Sequence, residues 1–309
     1  MERSPQAPWR IGVDVGGTFT DLVLADRDGA TWVAKVPSVP ADPSQGVLDG
    51  LDALASQLGI DVGSVLSGCA LFVHGSTVAT NTVLEGKGAR VGLLCTEGFR
   101  DALEIRRGLR EDQWDHRAPY APVLVPRYLR RGVRGRIGAN GDELEPLGTE
   151  DVIAALDAFA EETDGEGVEA IAVALFNSFV DDRHERQVAE ILAEHWDGSW
   201  VTCSAELSPM MGEYERTSTA VMNAALSPRI VAYLRELESR LAELGLPQPL
   251  LMVQSNGGAA SIPVVGPRPV NLLLSGPAAA VGALNLYRRA IDEAARATAA
   301  TAGAPPAQL

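Results

Sequence analysis

Residues Ile11–Leu24 read IGVDVGGTFTDLVL. An apolar run stops at Asp14, turns on Gly16-Gly17 among hydroxyls, and resumes at Leu22-Val23-Leu24. A plain hairpin needs only a turn. This one also carries two carboxylates, Asp14 and Asp21, and two threonines, Thr18 and Thr20. Glycine permits positive φ and close approach of the backbone. Successive N–H groups in such a turn form a nest that holds a phosphate. On that reading Gly16, Gly17 and Thr18 cradle the phosphates and Thr20 adds a second hydroxyl. Asp14 holds Mg²⁺ through water, because Mg²⁺ keeps much of its hydration shell, and Asp21 positions water. The competing reading is a tight hairpin with solvated polar residues.

The flanking pattern places this turn in a sheet. Thr31–Val36 alternates with period two, so the chain opens as three strands joined by short links. Asp42-Pro43-Ser44 then starts a helix with Val47, Leu48, Leu51, Leu54 and Leu58 on one face, ended by Gly59. Apolar runs at 70–73, 91–95, 170–176, 200–203, 250–253 and 271–274 read as buried strands. Helical patterns occupy 151–162, 181–195, 213–225 and 228–244, and a hairpin is expected through 128–137. Such alternation predicts an α/β protein with a largely buried sheet. The Ala- and Thr-rich stretch from 294 holds no large apolar residue and is expected to be frayed or disordered.

Bulk properties narrow the function. A length of 309 residues fits about two domains. A formal charge of −15 argues against binding a nucleic-acid backbone, whose affinity comes from Lys and Arg. Cys69, Cys95 and Cys203 are scattered, with neither zinc spacing nor a disulfide framework. The N-terminus has no apolar signal region, and no apolar run nears the ~20 residues of a membrane span. A cytoplasmic protein that engages no membrane is the expectation.

A second cluster of chemistry is HGSTVATN, residues 74–81, at a strand-to-helix junction. His74 is a candidate acid/base, and Ser76 and Thr77 are candidate ligand hydroxyls or helix caps. The bland alternative for His74 is a buried histidine. His116, His184 and His195 lie in polar contexts and read as surface residues. Glu213, Glu215 and Arg216 read equally well as an exposed ion-pair cluster or as catalytic groups. The glycine-rich segments at 254–258 and 275–279 read first as close-packed loops.

The DVGGTFTD stretch, residues 14–21, resembles the first phosphate loop of the hydantoinase A/5-oxoprolinase family, of which N-methylhydantoinase is a type. The resemblance continues in VHGSTVATN (73–81), KGAR (87–90), TEGFRD (96–101), EYER (213–216), QSNGG (254–258) and SGPAA (275–279). It implies an actin/Hsp70-like (ribonuclease H-like) mixed sheet with flanking helices. It implies a hydrolase that opens a cyclic amide (a hydantoin, 5-oxoproline or a lactam) with ATP and Mg²⁺, by phosphorylating the carbonyl oxygen. The implied site comprises Asp14, Asp21 and His74 as catalytic groups. Gly16, Gly17, Thr18, Thr20, Ser76 and Thr77 are implied as nucleotide ligands, with Asp14 on the metal. A second, B-type subunit is the implied partner, and a non-catalytic or split subunit of a ketone carboxylase-like complex is the alternative.

The implied organisation is an N-terminal domain at 10–197, the start of a second at 198–287, and a tail at 288–309. The family's second Asp-x-Gly-Gly-Thr loop and adenosine segment have no match here, so a fold truncated after its first lobe is expected. The arginine-rich stretch with Arg100, Arg106, Arg107, Arg110, Arg127, Arg130, Arg131, Arg134 and Arg136 reads as a solvated hairpin or as a docking surface for an acidic partner.

Overall fold

The computed structural model describes residues 7–108, 112, 114, 115, 117 and 122–302. Strands β1 (Trp9–Val15), β2 (Phe19–Ala25) and β3 (Thr31–Pro37) form the expected meander. Helix α1 (Pro43–Leu58) follows. Asp42 caps it by accepting from the N–H groups of Ser44 and Gln45, and Gly59 ends it at φ 68°. Next come α2 (Val62–Ser67), β4 (Cys69–Ser76), α3 (Val78–Leu84), β5 (Val91–Thr96) and α4 (Ala102–Ile105). The middle of the chain forms β6 (Arg130–Val133), β7 (Arg136–Ile137), β8 (Glu143–Glu145), α5 (Thr149–Glu161), β9 (Ala170–Ala174), α6 (Arg183–His195), β10 (Val201–Cys203) and α7 (Ser204–Leu207). The long helix α8 (Glu213–Glu243), then β11 (Leu251–Val253), β12 (Ala259–Ser261), α9 (Ile262–Val265) and α10 (Ser275–Ala302) complete it.

These elements make two compact units, interleaved in sequence. The first comprises Met1–Asn81, Tyr233–Val265 and Asn271–Leu309. Its mixed six-stranded sheet has the order β12-β11-β4-β1-β2-β3, with β4 parallel to β1 and β11. Strict alternation on β1 buries Ile11, Val13 and Val15. With Leu22, Leu24 and α1's Val47, Leu51 and Leu54, these form a core on one face of the sheet. The second unit comprises Thr82–Ala232 and Gly266–Val270. Its sheet, β10-β9-β5-β6, is parallel throughout. As expected of a parallel sheet, β5 and β9 are buried at every position.

The mixed α/β class is as expected, and several local readings change. Segment 128–137 is not a hairpin: β6 lies parallel to β5, while β7 pairs with β8. Helices expected at 213–225 and 228–244 are one helix with Pro228 inside it. Proline removes only one N–H, and burial of Leu226, Ile230, Val231 and Leu234 on either side of it carries the helix through. Residues 271–274 are not a strand, and a 3₁₀ turn spans Pro269–Leu272. The Ala-rich stretch continues α10 as far as Ala302, in keeping with alanine's helix propensity. Among the described residues no helix is long and apolar enough to cross a membrane.

Candidate phosphate and metal site

The first unit builds the site at the β1–β2 turn. Val15 faces Thr20 across the antiparallel ladder, leaving Gly16-Gly17-Thr18 as the turn, and Gly16 N–H donates to the Phe19 carbonyl (3.0 Å). Neither glycine has a positive φ. The requirement at Gly16 is space, because a Cβ there would sit 3.0 Å from the Phe19 carbonyl oxygen. The turn's carbonyls are fastened by Ser38, which follows β3. Its hydroxyl donates to the Gly16 carbonyl (2.7 Å), and its N–H donates to the Thr18 carbonyl (2.9 Å). Among the described residues, the N–H groups of Gly17 and Thr18 and the Thr18 hydroxyl find no acceptor. The loop therefore keeps these donors free while Ser38 occupies the Gly16 and Thr18 carbonyls.

Asp14 stands on the sheet face opposite the buried Val13 and Val15. Gly75, its register partner on β4, makes room for it: a Cβ on Gly75 would lie 3.3 Å from Asp14 Oδ1. Partial burial raises the Asp14 carboxyl above its ordinary range, and the charge of Asp21, opposite it across the ladder, raises it further. Asp21 itself is held by Lys35 Nζ at 2.8 and 2.9 Å. A cation beside Asp14 relieves both burdens. One carboxylate is enough for Mg²⁺, which is commonly held by one or two carboxylates together with substrate phosphates and water. No cluster of three or more ligating side chains exists among the described residues. The donor set thus fits Mg²⁺ arriving with a nucleotide and does not fit a resident metal cage.

Period two separates the remaining candidates from this face. Thr20 is fully buried. Ser38 spends its proton on Gly16, so the Thr20 hydroxyl donates to Ser38 Oγ (3.0 Å). A Cβ on Gly46 of α1 would meet Thr20 Oγ1 at 2.9 Å. Thr20 thus packs under α1, and this corrects its assignment as a phosphate ligand. Ser76 Oγ accepts from Val78 N–H (3.1 Å). Thr77 donates from both N–H and hydroxyl to the Val15 carbonyl (2.9 and 3.2 Å) and accepts from Asn81 Nδ2 (3.2 Å). The Thr77 hydroxyl secures the β4–α3 junction to the end of β1, while the Ser76 hydroxyl holds the start of α3. Ser38, Gly75 and Asn81, which lies 3.4 Å below Gly17's missing Cβ, complete the frame.

His74 shares the register of Val13 and is fully buried. Its Nε2 pairs with Tyr233 Oη (2.7 Å), and its Nδ1 has no partner. An orphaned N–H costs more than an empty lone pair, so we assign the proton to Nε2. The Tyr233 hydroxyl also bonds the Ser76 hydroxyl, and burial raises its pKa. Burial lowers His74 to about 4. The ring is neutral and faces away from Asp14, which corrects its reading as a catalytic acid/base.

A pH prediction follows. The folded pKa lies below the ordinary 6.5. The stability contributed by neutral His74 is therefore complete above pH 6.5 and is lost as pH falls toward 4. The loss runs at about 1.4 kcal/mol per pH unit, or roughly 3 kcal/mol in all. Urea midpoints of His74→Gln should fall less between pH 7 and 5 than those of the parent. Parallel profiles would refute this.

The EYER segment lies in the second unit and is not a solvated pair. Arg216 is buried. It donates to Ser204 Oγ (3.0 Å) and the Leu175 carbonyl (2.8 Å), and pairs with Glu213. Ser204 in turn donates to Glu185 Oε1 (2.6 Å), which also accepts from Leu175 N–H (2.9 Å), while Oε2 accepts from Ala205 N–H (2.8 Å). Burial raises the Glu185 carboxyl, opposed by these donors. His184 is likewise buried, bonded to Glu143 (2.7 Å), which corrects its reading as a surface residue. His195 is half-exposed, and His116 and Arg110 lie outside the described residues. The glycine-rich loops follow the packing reading. Ser275 donates to the Ser76 carbonyl (3.0 Å), Leu274 N–H to Thr80 Oγ1 (3.0 Å), and Gln254 closes the β11–β12 turn on Gly258 (2.8 Å).

Known proteins resemble this chain in sequence and fold. Residues 10–196 match the hydantoinase/oxoprolinase N-terminal region, and residues 216–296 match hydantoinase/oxoprolinase. The caprolactamase subunit alpha of Pseudomonas jessenii is 40% identical over 274 residues, covering 88% of this chain and 39% of the relative. The acetophenone carboxylase gamma subunit of Aromatoleum aromaticum is 35% identical over 265 residues, covering 82% and 36%. Among solved structures, the ATP-dependent caprolactamase of P. jessenii superposes with a TM-score of 0.78 at 42% identity, over 87% of this chain and 39% of that one. A nucleotide-free acetone carboxylase superposes with a TM-score of 0.78 at 25% identity, over 88% and 39%. The chain thus spans about two fifths of the length of these relatives. It belongs to the hydantoinase/oxoprolinase family.

Proposed function

We propose that this chain is the phosphate-binding portion of an ATP-dependent enzyme that opens a cyclic amide, working with a second subunit. The observation that carries the reading is the pair of free N–H groups at Gly17 and Thr18 beside a carboxylate whose pKa burial has raised. Support comes from the relatives, one named as an ATP-dependent caprolactamase and others as carboxylase subunits. Gly17, Thr18 and the Thr18 hydroxyl would hold phosphate oxygens. Asp14 would hold the Mg²⁺ that accompanies them, and Asp21 keeps Asp14 poised to take it. Such placement matters because phosphoryl transfer depends almost wholly on positioning and charge stabilisation. A ring amide is a poor electrophile. Transfer of the ATP γ-phosphoryl group to its carbonyl oxygen, with ADP leaving, would give an imidate-like phosphate. Water adds to its carbon, the C–N bond breaks with the ring nitrogen leaving as the protonated amine, and the resulting acyl phosphate is hydrolysed to carboxylate and phosphate. Hydantoins, 5-oxoproline and lactams share this need.

Calorimetric titration of the chain with ATP tests the reading. Binding in excess Mg²⁺ and its loss in EDTA are expected. Absence of binding in Mg²⁺, or equal binding in EDTA, would overturn it.

A further inference from the structure

The second unit carries a feature that the nucleotide site does not explain. In its sheet β6 lies on one side of β5, and the chain then crosses to the other side for β9 and β10. The neighbours β5 and β9 therefore flank the point where the winding reverses. Ligands of open parallel sheets bind outside the carboxyl ends of the strands at such a reversal.

The chain leaving β5 and β9 there is aromatic. Phe99 and Phe176 pack with ring centroids 4.6 Å apart, and Phe176 N–H donates to Thr96 Oγ1 (2.9 Å). The guanidinium of Arg136 lies over both rings, 4.1 Å from the Phe176 centroid and 5.4 Å from that of Phe99. Asn177 adopts a left-handed backbone (φ 59°), and its side-chain amide donates to the Ile137 carbonyl (2.9 Å). That bond fixes the residue next to Arg136 against the end of β9.

The neighbouring arginines are occupied. Arg127 pairs with Asp101, Arg130 with Glu104, Arg131 with Glu162 and Arg134 with Asp151. These pairs occupy the four arginines that precede Arg136 in the stretch. Among the described residues, the Arg136 guanidinium has neither an ion pair nor a hydrogen bond, and its ladder partner Glu145 makes none with it. A guanidinium held against aromatic rings with its N–H groups unused is a pre-set fork for a planar oxyanion, which a carboxylate fills with two parallel hydrogen bonds.

We propose that Arg136, stacked on Phe99 and Phe176, anchors a carboxylate-binding subsite at the winding reversal of the second unit, taking the carboxylate of a small-molecule ligand. The inference stands on that unit alone and does not rest on the nucleotide reading.

The test measures binding to the whole chain without nucleotide, so that failure here and failure of the nucleotide reading are seen separately. The probes are 5-oxoproline, 2-pyrrolidinone (the same ring without the carboxylate) and inorganic phosphate. 5-Oxoproline is expected to bind at least ~10-fold more tightly than 2-pyrrolidinone. Arg136→Gln should remove that difference. Arg136→Lys should fall between, keeping charge but losing the fork. Equal binding of the two rings, or unchanged 5-oxoproline affinity in Arg136→Gln, would overturn the proposal. Displacement of 5-oxoproline by inorganic phosphate at equal concentration would reassign the subsite to phosphate and also overturn it. Near-UV circular dichroism reports whether the Gln variant is folded. If it is not, the Lys variant decides: parent-like affinity refutes the fork.

Discussion

Asp14→Asn should weaken Mg²⁺–ATP binding by at least ~100-fold, equivalent to about 2.7 kcal/mol, and should leave the ligand-free protein as stable as the parent or slightly more so. Both halves come from the same environment. The folded state raises the Asp14 carboxyl above its ordinary range, so it binds protons more readily than the unfolded chain does. Stability at this position is therefore greater at low pH and falls as pH rises through the shifted pKa. At neutral pH the full penalty of the ionised group is present, and the amide removes it. Activity and stability pull in opposite directions here, as they commonly do where a charge is kept for a ligand. Calorimetry and a thermal melt check the two halves. Affinity within twofold of the parent would sink the metal assignment, and a large drop in midpoint would give Asp14 a structural role instead.

The second large effect lies in the other unit. Glu185→Ala should destabilise the protein by about 3–5 kcal/mol, because it leaves three buried donors without their acceptor at about 1–3 kcal/mol each. The substitution strands the N–H groups of Leu175 and Ala205, and it removes the acceptor through which Ser204 links Glu185 to Arg216. Against a total stability of about 5–15 kcal/mol, that is a large share. Urea denaturation gives the measurement. A loss below ~1 kcal/mol would mean that water reaches the network and satisfies it.

The strands of the first sheet and the β1–β2 turn were legible because they rest on local rules. Period-two alternation at 11–15 and 31–36, the Asp42 cap and the Gly59 stop each depend on a few adjacent residues. What escaped depends on distant partners. Nothing near Glu185 or Arg216 announces that residues 10 to 41 positions away will bury them. His184 looked exposed because its neighbours are charged, yet Glu143 covers it. Thr20 and Asp21 are adjacent in a polar motif, and only the pleat shows that one packs under a helix while the other meets solvent. Ser38 lies outside every recognisable motif, so its hold on the turn could not be read from sequence. Pro228 misled in the opposite way. A strong local breaker was overruled by apolar packing along α8.

The Ser38 clasp has a consequence for how the protein assembles. The bonds made by Gly16 and Thr18 in the β1–β2 turn come from within the first forty residues, from Phe19 and Ser38. Closing so short a span costs little chain entropy, and segments rich in near-neighbour contacts form early. On the ribosome this stretch emerges before β4, and well before β11. The turn can therefore be set in shape while the strands that later flank it are still unmade, so the nascent chain can carry the preformed turn ahead of its sheet.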